Sequence, residues 1–374
     1  MSFINEERLV EQFLELVKID SETKHEGKIA NYLKDKFLSL GLKVEEDNAK
    51  EATGFGANNL ICTLDGNSHT GDGIFFSAHM DTVVPGKNIK PMIKDGYITS
   101  DGTTILGADD KAAIAIMIEI IHILKEQNAN YGNVQFLISV GEESGLVGAK
   151  AIDTSLIKAK HGYVVDSDGE VGNIVVQAPY QMKIFTEIFG KSAHAGVALE
   201  KGISAINVAA KAISKLKLGR IDKETTANIG YFKGGKETNI VCDYVEVLAE
   251  ARSLQKDKVT KVVNEFKQTF DQVAKSNEAT ASVDITEVYP GFQLDKTDVV
   301  VSKAIEAAEI CHLKPTLLKS GGGSDANIFN GFGFPTANLA VGYENIHTKK
   351  ERIAIKNMVD LTEFVFKIIQ LHVN

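Results

Sequence analysis

Histidines and acidic residues able to act together are spread over most of this 374-residue chain. His79 and Asp81 stand two apart, Asp109 and Asp110 adjoin, Glu142 and Glu143 adjoin, and Asp166 and His347 stand alone. Imidazole with carboxylate and no thiolate suits a catalytic zinc, cobalt or manganese better than a structural zinc held by cysteines. Each piece taken singly has a plainer reading. His79-Met80-Asp81 could be a strand-end histidine beside a surface aspartate, and Glu142-Glu143 a solvated acidic turn. Asp109-Asp110 could open a helix, where unpaired N–H groups and the dipole favour aspartate. Chemistry is implied only if the fold gathers these groups, so the elements that carry them decide the matter.

Short apolar runs over 59–64, 74–78, 134–140, 163–165 and 336–341 have the length and composition of buried strands. Apolar residues at helical spacing predict helices over 6–19 and 26–40, the second stopped by Gly41, and another over 111–125. Alternating strands and helices imply an α/β fold, a mixed sheet with helices on both faces. His79 and Asp81 then follow one strand, Glu142 and Glu143 a second, Asp166 ends a third, and His347 follows a fourth by a short loop, while Asp109 opens a helix. Sites in open α/β sheets lie outside the carboxyl ends of the strands, so these groups can converge. Gathered carboxylates repel one another and climb in pKa unless a cation neutralises them, which makes bound metal the expected explanation.

Between 181 and 291 the texture changes to strand, helix, two strands, helix, strand. A βαββαβ order packs as a ferredoxin-like four-stranded sheet with two helices on one side. The expected organisation is a discontinuous domain of 1–180 and 292–374 interrupted by an inserted domain of 181–291.

Net charge is −9, with 44% hydrophobic and 24% charged residues, and no basic run that would fit nucleic acid or an anionic membrane. A small molecule or short peptide suits the chain better as substrate. The opening MSFINEERLVEQ is acidic where an export signal needs a basic start and an apolar core, and the apolar stretch 112–123 is too short to span a bilayer. Cys62, Cys242 and Cys311 form no CxxC pair, which argues against a disulfide framework and for a cytoplasmic protein. Cys311 and His312 adjoin, but neighbours in a regular element point to different sides, so a packed thiol is the expectation.

Four motifs together resemble the M20 family of dinuclear zinc peptidases: Ser77-Ala78-His79-Met80-Asp81-Thr82-Val83, Gly107-Ala108-Asp109-Asp110-Lys111-Ala112, Gly141-Glu142-Glu143-Ser144-Gly145 and Asn345-Ile346-His347. Its peptidase T (tripeptide aminopeptidase) branch looks closest. The resemblance implies that Asp109 bridges two metal ions, with His79 and Asp166 completing one site and Glu143 and His347 the other. Glu142 would be the general base, and Asp81 would hold the His79 ring with its free nitrogen toward the metal. It also implies a cis peptide between Asp109 and Asp110, and a homodimer in which the inserted domain serves as lid and interface. Such a metal pair polarises the scissile carbonyl and brings a water toward deprotonation at neutral pH, and Glu142 can pass that water's proton to the leaving amine.

In the inserted domain, His194 lies in the small-residue loop Gly190-Lys191-Ser192-Ala193-His194-Ala195-Gly196, where the resemblance implies an oxyanion contact made across the dimer. Arg252 and Asn239 match positions that hold the substrate's terminal groups; their plain readings are a surface ion pair and a turn asparagine. Gly321-Gly322-Gly323-Ser324-Asp325 lacks the lysine and spacing of a phosphate loop, and the resemblance places it along the substrate cleft. Better-known tripeptidases carry Arg-Gly-Gly-Thr-Asp-Gly there, so Gly321 stands in place of their arginine and substrate class stays open. Carboxypeptidase, dipeptidase and N-acyl amino acid deacylase activities share the same metal centre. A metal-dependent peptide-binding protein without catalysis is the rival from another class, and the presence of Glu142 beside all five ligands weighs against it.

Overall fold

A computed structural model describes residues 3–68 and 73–373, and the chain forms two compact units. The first comprises Met1–Gln177, Gln293–Ser320 and Ser324–Asn374; the second comprises Ala178–Phe292 with Gly321–Gly323.

A nine-stranded mixed sheet organises the first unit. Its order is Lys43–Glu46, Leu60–Leu64, Val134–Ser139, Ile74–His79, Gly162–Ser167, Thr336–Ala340, Asn173–Ala178 and Phe292–Gln293, with Thr316–Lys319 also paired to Asn173–Ala178. All six residues of both Ile74–His79 and Val134–Ser139 are buried. Continuous burial means both faces of these strands are covered, which is why they read as unbroken apolar runs rather than alternating ones. The helix Ala108–Glu126 packs on Ile74–His79 and Gly162–Ser167, and its flanks meet the helices Glu6–Val17 and Ile355–Leu371. It is buried on nearly every side, so its sequence shows little polar stripe.

Four neighbouring strands position the chemistry. Val134–Ser139, Ile74–His79, Gly162–Ser167 and Thr336–Ala340 run parallel to one another. Their carboxyl ends therefore share one edge, with successive strands about 4.8 Å apart. Asp166 lies within its strand rather than just beyond it, because pairing with Thr336–Ala340 continues to Ser167. A separate four-stranded sheet of two- and three-residue strands, Tyr343–Glu344, Arg352–Ala354, Tyr97–Thr99 and Met92–Lys94, has no counterpart in the sequence reading. Elements that short carry no measurable periodicity.

The second unit is an antiparallel sheet in the order Gly219–Arg220, Thr225–Gly234, Tyr244–Ser253, Tyr180–Phe189, Thr280–Tyr289. Its four long strands follow the βαββαβ expectation, and Gly219–Arg220 adds a two-residue fifth. Residues of Tyr244–Ser253 alternate between buried and more exposed, as on a sheet with one covered face. Val259, Val262, Val263, Phe266, Phe270 and Val273 form the apolar stripe of the helix Lys256–Ser276, which packs on that sheet with Ala205–Ile213.

Candidate metal centre

His79, the last residue of its strand, is only 1% exposed, with its ring held from both sides. Nδ1 lies 2.9 Å from the backbone carbonyl of Asp81 and 3.4 Å from that residue's carboxylate. A carbonyl only accepts, so Nδ1 carries a hydrogen and Nε2 is the atom turned to the cluster. The nearer support is thus the Asp81 backbone rather than the side chain named from sequence. The Asp81 carboxylate instead accepts from the Glu142 backbone N–H at 3.0 Å and from the Thr23 hydroxyl at 2.8 Å, tying the strand end to the glutamate turn.

Asp109 divides its two oxygens between two histidines. Oδ1 is 3.0 Å from His79 Nε2, and Oδ2 is 3.1 Å from His347 Nε2. Asp166 Oδ1 stands 3.9 Å from His79 Nε2, while Glu143 Oε1 is 2.8 Å from His347 Nε2. Two three-residue groups result, His79 with Asp109 and Asp166, and Asp109 with Glu143 and His347, each with ligand atoms within 4.8 Å of one another. His79 also groups with Glu142 and Glu143 on the same criterion. The peptide between Asp109 and Asp110 is cis.

Electrostatics describe the same cluster. Burial, then the Asp166 charge, pushes the Glu142 carboxyl well above the usual range. Burial, then Asp109, does the same to Asp166. Burial opposes a proton on His79, but Asp109 and Asp81 outweigh it and hold the imidazole well above its ordinary value. Asp109 and Glu143 push His347 up to about 10. All four shifts favour the protonated forms, the direction expected of a negatively charged cluster whose repulsion a divalent cation can neutralise.

The donor set fits such ions. Ligand atoms about 2.0–2.2 Å from a tetrahedral metal stand roughly 3.3 Å from one another, and the separations within the two groups, from 2.8 to 3.9 Å, bracket that spacing. A shared carboxylate between two histidine-bearing groups is the arrangement two ions need.

Three supporting residues carry no motif and escaped the sequence reading. The Tyr343 hydroxyl donates to Asp166 Oδ1 at 3.0 Å. The Asn338 side chain accepts from the Asp166 N–H and donates to its carbonyl, both at 3.0 Å. Glu351 accepts from the backbone N–H groups of Leu106, Gly107 and Asp109. Tyr343 and Glu351 flank His347 by four residues each, the one hint the sequence offers.

The remaining named residues lie in the second unit. His194 is exposed, its Nδ1 accepting from the Gly196 N–H at 3.2 Å, and its loop is bridged to that of Asn239, whose carbonyl accepts from Ala195. Arg252 pairs with both carboxylate oxygens of Glu250, at 2.9 and 3.3 Å, and reaches the Tyr289 hydroxyl and the Gly321 carbonyl at 3.4 Å. Gly323 packs so tightly on the Tyr289 ring that an added Cβ would lie 2.3 Å from it.

Residues 75–371 match the family model for peptidase family M20/M25/M40. The chain is a member of that family. The protein YqjE of Bacillus subtilis is 57% identical to it over 367 residues, 98% of this chain and 99% of that protein. Two solved structures superpose along whole chains. Aminopeptidase PepT from Bacillus cereus has a TM-score of 0.93 at 56% identity, covering 99% of each chain. A tripeptidase from Staphylococcus aureus has a TM-score of 0.96 at 48% identity, covering 100% of each.

Proposed function

We propose that this protein is a dinuclear metallopeptidase that releases the N-terminal residue of short peptides, tripeptides foremost. The observation that carries the reading is the Asp109 carboxylate shared between the His79–Asp166 and Glu143–His347 groups, with Glu142 on the adjoining turn. Likeness to an aminopeptidase and to a tripeptidase over whole chains supports the choice of substrate.

His79, Asp109 and Asp166 hold one ion, and Asp109, Glu143 and His347 the other. Zinc is the proposed metal, with cobalt and manganese as the other ions this donor set suits. When bound, the two ions supply Lewis acidity for the scissile carbonyl and counter-charge for a deprotonating water. Glu142 takes that proton and returns it to the leaving amine. Its backbone is fixed by Asp81, and its burial suits it to keep a proton between those two steps. His194 donates to the developing oxyanion from the partner of a homodimer, and Arg252 and Asn239 hold the peptide's terminal groups. Arg252 must then share its guanidinium between Glu250 and the substrate carboxylate. Among the described residues no helix is long and apolar enough to cross a membrane. With three unpaired cysteines and no basic run, we place the enzyme in the cytoplasm, acting on peptides and not on nucleic acid or membrane.

Metal analysis of the purified protein, combined with mass spectrometry of a small peptide panel, tests the reading. Two ions per chain and release of the N-terminal residue from free tripeptides are expected. Release of C-terminal residues would instead indicate a carboxypeptidase. Preference for N-acetylated amino acids over every free-amine peptide would indicate a deacylase, and metal binding without hydrolysis a peptide sensor.

A further inference from the structure

His347 occupies the loop of a hairpin whose two strands, Tyr343–Glu344 and Arg352–Ala354, are only two and three residues long. Its side chain is 47% exposed and its backbone is left-handed, φ 60°. So short a ladder cannot by itself hold a loop residue to the tolerance a metal ligand requires. Asp109 faces a similar difficulty, since it sits in the non-helical opening of its helix.

Glu351 joins the two. It is 1% exposed and is the last loop residue before Arg352–Ala354, its own N–H donating to Thr348 at 3.1 Å. Oε2 accepts from Leu106 and Gly107, both at 2.8 Å, and Oε1 from Asp109 at 3.1 Å, across 242 to 245 residues of sequence. The Asp109 N–H lies in the first turn of the helix Ala108–Glu126, where no intrahelical partner exists, and Leu106 and Gly107 lead into it. One carboxylate thereby ties the hairpin of one ligand to the turn of another. His79 and Asp166 have supports apart from that hairpin in the Asp81 backbone and the Asn338 side chain.

We propose that Glu351 is a positioning residue that sets the spacing of Asp109 and His347 and so governs the affinity of the ion held by Asp109, Glu143 and His347, which takes both ligands it ties, more than that of the ion held by His79, Asp109 and Asp166, which takes one. The inference rests on the proposed ligand set. In Glu351→Gln the shape is kept, but one accepting oxygen becomes an amide donor facing N–H groups.

Cobalt(II) binding to the metal-free protein, in chelator-buffered solutions of graded free cobalt, separates the possibilities. Wild type is expected to bind two ions per chain. In Glu351→Gln one ion should keep its constant within about threefold, while the Kd of the other rises roughly 10- to 100-fold, the range for loss of a support behind a ligand. Glu119→Gln, remote from the cluster, should lower the melting temperature of the metal-free protein and leave both constants alone. Equal constants for Glu351→Gln and wild type would overturn the proposal, as would equal weakening of both ions. If wild type binds no cobalt, the ligand set itself fails. Should Glu351→Gln not fold, Glu351→Asp retains the carboxylate with a shorter reach and is expected to weaken the same ion. Unchanged constants in that variant would likewise overturn the proposal.

Discussion

Tyr343→Phe removes one oxygen atom from behind the proposed ligand Asp166. The hydroxyl is buried, the residue being 4% exposed, and donates to the Asp166 oxygen nearest His79. A hydrogen bond to a charged group contributes about 1.5–3 kcal/mol. Asn338 still clamps the Asp166 backbone in the variant, so only the carboxylate torsion is released and the lower half of that range applies. About 1.4 kcal/mol corresponds to a tenfold change in affinity, and the expected effect is therefore a roughly 10- to 40-fold weaker ion at the His79, Asp109 and Asp166 group. Metal-free protein should change less. There burial, then the Asp109 charge, pushes the Asp166 carboxyl well above the usual carboxylate range, so losing the hydroxyl strands less charge than it does behind a bound ion. Its melting temperature should fall by no more than roughly 1–2 °C, the equivalent of about 1 kcal/mol for a chain of this size. Competition against a chromophoric chelator gives the affinity, and calorimetry of the metal-free protein gives the stability. Unchanged affinity, or an affinity loss matched by an equal loss of metal-free stability, would show that Tyr343 does not support Asp166 as a ligand.

Arg8 bridges the buried Glu119, 1% exposed, and the half-exposed Glu126. Arg8→Ala leaves the buried Glu119 without its cation, with only the Asn5 N–H still donating to it, and should cost about 3 kcal/mol in denaturant unfolding, against less than about 1 for Glu126→Ala; equal costs would contradict this. Burial, then the charges of His161 and Lys303, pushes the His372 imidazole down to about 3. An unfolded chain binds that proton near pH 6.5 and the native one does not, so stability falls as pH drops from about 6.5 to about 3. Replacing His372 by Gln should flatten that fall, and an unchanged slope would remove His372 as its cause. Arg252→Ala should lower kcat/KM for free tripeptides by roughly tenfold or more while sparing C-terminally amidated analogues; equal loss on both would leave Arg252 as a partner of Glu250 alone.

Strand-borne residues were legible because burial on both faces leaves an unbroken apolar run, and the position just past such a run is fixed by the sheet. His79, Glu142 and Glu143 owe their prominence to that rule, and His347 does so more loosely through a longer loop. Asp109 was legible from its place at a helix start. The supports behind these residues were not. Glu351, Tyr343 and Asn338 act through contacts that join distant segments, and a lone glutamate or tyrosine beside a loop has no pattern to mark it. Asp81 shows a subtler limit: its type suggested a carboxylate behind His79, while the closer contact is a backbone oxygen that any residue could supply. Arg252 was visible as a strand-end cation, but its pairing with Glu250, two residues earlier on the same strand, depends on side-chain direction within the sheet.

In the proposed mechanism Glu142 moves the proton while its neighbours hold the metal, and one variant separates the two roles. Glu142→Ala should retain two ions per chain and lower kcat for a free tripeptide by roughly 10²- to 10⁴-fold, the range for a positioned acid–base group. Turnover equal to wild type with both ions bound would contradict the account.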